Sequence, residues 1–90
     1  MEFWYDPRHT GALRVISGTQ ISGSDPSEKL WVVQTRVLDD NSIEVDFRTK
    51  KTHHGKKIMK AIYKKRRSEL HWPDGNVWLR MRVDPRWVLQ

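Results

Sequence analysis

The stretch Gly55–Leu70, GKKIMKAIYKKRRSEL, decides the fold, because it admits two opposite readings. Lys, Met, Ala, Arg and Glu favour helix, and Ile58, Met59, Ala61 and Ile62 would form a narrow apolar stripe. That stripe stops at Lys64, and no apolar residue follows for more than a full turn. The rival is a strand over 57–64, a basic turn at Lys65-Arg66-Arg67 and a second strand over 69–72. Short antiparallel neighbours on both sides favour the strands. The alternative is an α+β domain with a helix over about 56–70.

The neighbouring segments read as strands. From Ser42 to Thr49, Ile43, Val45 and Phe47 alternate with Glu44, Asp46 and Arg48, the period of a half-buried strand. Val77, Leu79, Met81 and Val83 alternate with Trp78, Arg80 and Arg82 in the same way. Ala12–Ser17 and Lys29–Leu38 are strands too, the latter joined to Ser42–Thr49 through Asp39-Asp40-Asn41, a turn composition. In His71–Trp78, HWPDGNVW, Pro-Asp-Gly-Asn separates two tryptophans as the tip of a hairpin would. The tryptophans then become cross-strand or diagonal neighbours, and at least one belongs to the core. The expected fold is a single all-β domain over 1–90, with six or seven strands forming a small antiparallel barrel or strongly twisted meander. Its core should draw on Leu13, Val15, Trp31, Val33, Ile43, Val45, Phe47, Trp72, Leu79 and Met81.

Ninety residues with five tryptophans, two tyrosines and two phenylalanines give a small core that depends on large aromatic side chains. The chain has no cysteine, which excludes disulfides, thiolate metal sites and cysteine nucleophiles. Met1-Glu2-Phe3-Trp4-Tyr5 does not read as a signal peptide, and no apolar run is long enough for a membrane span. An intracellular protein of undetermined compartment, without membrane association, is the expectation. The net charge of +6 is unevenly placed: residues 1–45 carry −3 and residues 46–90 carry +9, with no acid between Arg48 and Arg67.

Three patches in order, YDPRHTGALRVI, IEVDFRTKK and LHWPDGNVW, resemble the pattern of a family of small uncharacterised all-β domains found in marine algae and other phytoplankton. The resemblance runs from about Tyr5 to Met81. Here Thr10 interrupts what would be paired glycines, and Arg48-Thr49-Lys50 replaces a small neutral loop entry. The resemblance implies a compact antiparallel β-domain and a strand at Ile58–Tyr63, and it implies no activity.

Motifs for catalysis are missing. His53 and His54 are adjacent, so in extended chain they point to opposite sides, and neither His9 nor His71 stands at ligand spacing from them. No metal site and no cofactor are expected. Ser17, Ser22, Ser24 and Ser27 lie in turn compositions without a nucleophile elbow. Asp39-Asp40 reads as a turn, and Glu44/Asp46 as a wet strand face. The triplets Asp6-Pro7-Arg8 and Asp84-Pro85-Arg86 read as strand exits. The expectation is a protein that is not an enzyme.

The basic segment carries the functional reading. Lys50, Lys51, Lys56, Lys57, Lys60, Lys64, Lys65, Arg66 and Arg67 would neutralise phosphates and give salt-dependent binding of RNA or single-stranded DNA. Tyr63, Trp72 or Trp78 could stack on unpaired bases. The same run could instead serve as a nuclear address, or as lysines that protect a strand edge. A protein partner in a larger assembly and a small ligand inside the barrel are the alternatives.

Overall fold

A computed structural model of the chain describes residues 1–9, 13–25, 28–49 and 58–82. Eight strands follow one another: β1 (Glu2–Tyr5), β2 (Leu13–Ser17), β3 (Gln20–Asp25), β4 (Glu28–Asp39), β5 (Ser42–Asp46), β6 (Ile58–Lys64), β7 (Glu69–His71) and β8 (Val77–Met81). Each pairs antiparallel with the next, and β1 pairs with β8, so the meander closes into a barrel. Closure gives every strand a partner on both sides over at least part of its length, and so leaves no edge strand to recruit other chains. Two 3₁₀ turns, Phe47–Thr49 and Lys65–Arg67, are the helical segments among the described residues. Residues 58–64 are therefore strand, not helix. The apolar stripe ends at Lys64 because the chain turns there.

The strand count is eight rather than six or seven. β1 and β3 are the two additions. β3 reads QISGSD, a composition that otherwise signals a turn. It forms a strand because Gly18, at φ 59, turns the chain back after Ser17 and sets Ser17 opposite Gln20. Glycine at the first central position of a two-residue hairpin matches the twist of the flanking strands.

An eight-stranded barrel encloses a space that side chains can just fill. Here Trp4, Ile21, Trp31, Val33, Val45, Phe47, Ala61, Leu70, Trp72 and Trp78 fill it. Trp31, Val33, Val45, Phe47 and Trp72 are core as expected, while Ile43 is partly buried against that core and Val15 is half-buried. Leu13, Leu79 and Met81 are not core; they are 44%, 41% and 43% exposed. In β8, Trp78 takes the inward position, and the Val77, Leu79, Met81 row faces out. In β2 the inward residues are Arg14, which is buried, and Ile16, which is partly buried against the core. Register sets Phe3 between Val15 and Met81, and Tyr5 between Leu13 and Leu79. The outer wall of β2, β1 and β8 is thus an apolar ladder.

The ends of the barrel differ. At one, the β1 exit, the start of β2, the 3₁₀ turn after β5 and the 73–76 loop meet around a plug of tryptophans. At the other, the β4–β5 hairpin projects past β3, whose pairing with β4 ends at Gln34. There Val37, in the inward register opposite Ile43, is 73% exposed.

Candidate nucleic-acid interface

β6 presents its two faces as the alternation requires. Met59, Ala61 and Tyr63 turn inward, while Ile58, Lys60, Ile62 and Lys64 line the outer wall. Lys60 stands opposite Glu44, and Lys64 opposite Glu69. Glu44 also holds Arg36, at 3.2 Å. Asp46 holds Arg48 through its Nε and Nη2 at 2.9 and 2.8 Å. The Arg48 side chain, with its backbone N–H, pulls the Asp46 carboxyl down to about 2. Along the strands, then, acids face the cations.

Beyond Lys64 this changes. The chain tightens into the turn Lys65–Arg67, which ends on Ser68 in the left-handed conformation, φ 52. The Arg80 N–H donates to the Ser68 carbonyl at 2.9 Å. This ties the turn to β8 and leaves all three basic side chains exposed. Next to them the Tyr63 N–H donates to the Asn41 carbonyl at 2.7 Å, and the Tyr63 ring meets Trp4 edge-on at 6.0 Å. Asn41, Tyr63, Lys64, Lys65, Arg66 and Arg67 line one depression of about 440 Å³. No carboxylate lies among those lining residues.

The candidate residues therefore separate. Lys64, Lys65, Arg66, Arg67 and Tyr63 come together; Lys60 lies further along the wall beside Glu44. Lys50, Lys51, Lys56 and Lys57, with His53 and His54, lie outside the described residues. The flanking Thr49 and Ile58 sit at the plugged end of the barrel, away from Lys65–Arg67. Trp72 and Trp78 are 6% and 4% exposed. Their rings pack on each other at 4.6 Å, so neither offers a face for stacking. Aromatic rings pack much of the interior of the barrel.

Comparison with protein-family models, with curated proteins and with solved structures finds no match. The chain stands on its own geometry. No helix among the described residues is long and apolar enough to cross a membrane.

The plugged end holds residues that no local pattern signals. Arg14 is 1% exposed. Its Nη2 reaches Asp25 Oδ1 at 2.9 Å and Asp6 Oδ2 at 3.2 Å, and its Nη1 donates to the Ser24 carbonyl at 3.1 Å. The guanidinium lies 4.9 Å from the Trp31 ring and 5.9 Å from that of Trp78. Trp31 packs on Phe47, Phe47 on Trp72 and Trp72 on Trp78. Arg14 thus closes a ring of aromatics. Trp31 Nε1 donates to Asp25 Oδ2 at 3.0 Å, and Asn76 Nδ2 donates to Asp6 Oδ1 at 2.9 Å. His9 Nδ1 lies 2.7 Å from Asp6 Oδ2, and Arg8 Nη2 donates to the Asp74 carbonyl at 3.1 Å. Burial pushes the Asp6 carboxyl up, but bonds from Asn76, His9 and the Arg8 N–H together hold it below its ordinary value. Asp6-Pro7-Arg8 and Pro73-Asp74-Gly75-Asn76 are therefore two halves of one clamp. Arg8 pairs with Asp74 rather than with the Asp6 side chain.

Proposed function

We propose that this chain is a non-enzymatic module that binds RNA or single-stranded DNA at the Lys64–Arg67 end of the barrel, chiefly through phosphates. One observation carries the reading: Lys65, Arg66 and Arg67 line a single depression with Lys64 and Tyr63, no carboxylate is among the lining residues, and of these cations Lys64 is the one set opposite an acid, Glu69. Cations in that setting displace condensed counterions from a polyanion, and the affinity then falls with salt. The surface is smaller than the sequence suggests. The strand-borne lysines face acids, and phosphate contact gives little choice of base.

The expected result is micromolar binding of a labelled single-stranded oligonucleotide, measured by fluorescence anisotropy and weakening steeply as salt rises. The variant Lys65→Ser/Arg66→Ser/Arg67→Ser should retain its circular dichroism spectrum and bind more weakly. Its slope of log affinity against log salt should be shallower by about 2, at about 0.7 per lost single-strand phosphate contact. An unchanged affinity or slope would remove this surface from the reading.

A protein-interaction role is the second reading, favoured by the outer ladder of Phe3, Tyr5, Leu13, Val15, Leu79 and Met81. Contiguous exposed apolar surface of this kind marks association sites. Sedimentation equilibrium should then show a mass that rises with concentration in the wild type and stays monomeric in Leu79→Ser/Met81→Ser. A wild-type mass that stays monomeric at all concentrations would exclude self-association through this wall.

A further inference from the structure

The open mouth of the barrel adjoins the basic depression and shares Asn41 and Tyr63 with it. It is a cleft of about 190 Å³ whose floor and walls include Trp4, Ile16, Val37, Ile43 and Leu70. That is too small for a drug-sized ligand, whose pockets run about 300–1,000 Å³, and suits one flat heteroaromatic ring. The cleft lies where the β4–β5 hairpin extends past β3, so that the paired Val37 and Ile43 face inward beyond the end of β3.

The rim of the mouth carries both charges. Lys64–Arg67 stand at the β6–β7 end, and Asp39 and Asp40 stand in the neighbouring β4–β5 turn, which the bond from the Tyr63 N–H to the Asn41 carbonyl joins to them. Glu2 stands on β1, with Arg80 Nη1 at 3.6 Å. Asp39 Oδ1 accepts from the Asn41 N–H at 3.0 Å and from the Ser42 hydroxyl at 2.8 Å. These bonds, the Asn41 N–H first, hold its carboxyl below the ordinary value. The Asp39 lip is an anionic acceptor at neutral pH beside a cationic donor lip, and the apolar cleft adjoins both.

We infer that the mouth is a subsite for a single unpaired nucleobase of a bound strand, with the adjoining phosphate on the Lys64–Arg67 lip and the Watson–Crick edge of the base toward the acidic lip. This rests on the nucleic-acid reading above. The carboxylates favour bases that present amino donors and repel bases that present carbonyls at the same place. Cytosine, with its N4 amino group, is accepted before thymine, with its O4 carbonyl.

The test is a set of anisotropy titrations at one low salt concentration, with oligo(dC), oligo(dT) and a strand of equal length built from abasic sites. The protein is compared with Val37→Asn, which removes an apolar wall at an exposed position, and with Arg66→Ser/Arg67→Ser, which removes phosphate contacts. Wild type should bind oligo(dC) more tightly than oligo(dT), and the abasic strand about tenfold more weakly, as the loss of one stacked base implies. Val37→Asn should bind oligo(dC) as weakly as the abasic strand and leave abasic binding unchanged. Arg66→Ser/Arg67→Ser should weaken all strands alike. Equal binding of oligo(dC) and the abasic strand to wild type overturns the base subsite, and the phosphate reading then stands if the arginine variant is still weakened. Thymine preference overturns the role of the acidic lip. Equal competition by deoxycytidine monophosphate overturns the strand as the source and assigns the mouth to a free nucleotide. No binding of any strand overturns the subsite and the underlying reading together.

Discussion

Arg14→Met is expected to cost about 3–5 kcal/mol of folding free energy, the loss found when one partner of a buried ion pair is removed. Asp6 and Asp25 would remain buried without the cation that both now share. For a domain of this size each kcal/mol is worth roughly 4–8 °C in Tm, so thermal melting by circular dichroism should fall by at least about 12 °C. Arg14→Lys should recover little, because an ammonium cannot reproduce the guanidinium fork and its packing on two rings. Arg14→Met/Asp6→Asn/Asp25→Asn should recover much of the loss, since the uncompensated charges go with the cation. In the wild type the folded Asp6 pKa is lowered, against the effect of burial, by bonds from Asn76, His9 and the Arg8 N–H. The stability it contributes is complete above the unfolded value of about 3.9 and is lost as pH falls through the folded value, and melting across that range should show the loss. A loss below about 1 kcal/mol in Arg14→Met would show that the network does not hold this end of the barrel.

Gly23→Ala should be the next most damaging change. Gly23 lies between Arg14 and Trp31 in register. A Cβ there would collide with Trp31 Cζ2, and it would stand 2.8 Å from Trp31 Cε2 and 2.9 Å from Arg14 Cδ. The glycine is needed for space, not for backbone freedom, because its φ is not in the left-handed region. Overpacking of this kind costs about 1–3 kcal/mol, and the high end is expected, since both neighbours are pinned by hydrogen bonds to Asp25. Urea denaturation should show the midpoint falling without a change in m-value. Trp31→Leu should be destabilising alone and less so when combined with Gly23→Ala, a coupling that a double-mutant cycle would read directly. Additive losses would mean that Trp31 is not what the new methyl group meets.

The parts of this fold that local pattern reveals are those where one face is plainly apolar or a turn has its own chemistry. Ile43, Val45 and Phe47 announce β5, and Pro73–Asn76 announces the last hairpin, where Gly75 takes φ 86. The basic turn at Lys65–Arg67 is legible because nothing apolar follows Lys64. Alternation gives the period of a strand but not its phase when both faces carry bulk. In β8 the choice between Trp78 and the Val77, Leu79, Met81 row is settled by Arg14 and Trp72, which come from elsewhere in the chain. Arg14 in LRVIS looks like a solvated charge until Asp6 and Asp25 are brought to it. Gly23 looks like a turn residue because the collision that it avoids is invisible along the chain. The site shows the same division. The cations of residues 64–67 are evident from sequence. That acids face Lys60 and Lys64, and that an apolar cleft adjoins Arg66 and Arg67, follows only from register and from the reach of the β4–β5 hairpin past β3.

The β1–β8 seam has a consequence for how the protein comes into being. Phe3 and Tyr5 wait for Met81 and Leu79, so the ring cannot shut until β8 has left the ribosome, several seconds after β1 emerges at about 5–20 residues per second. Throughout that interval the nascent sheet has two raw flanks, one of them bearing Phe3 and Tyr5, and each can pair with another unfinished chain. Protection during translation, by a chaperone or by dilution, matters more for this protein than its modest size would suggest.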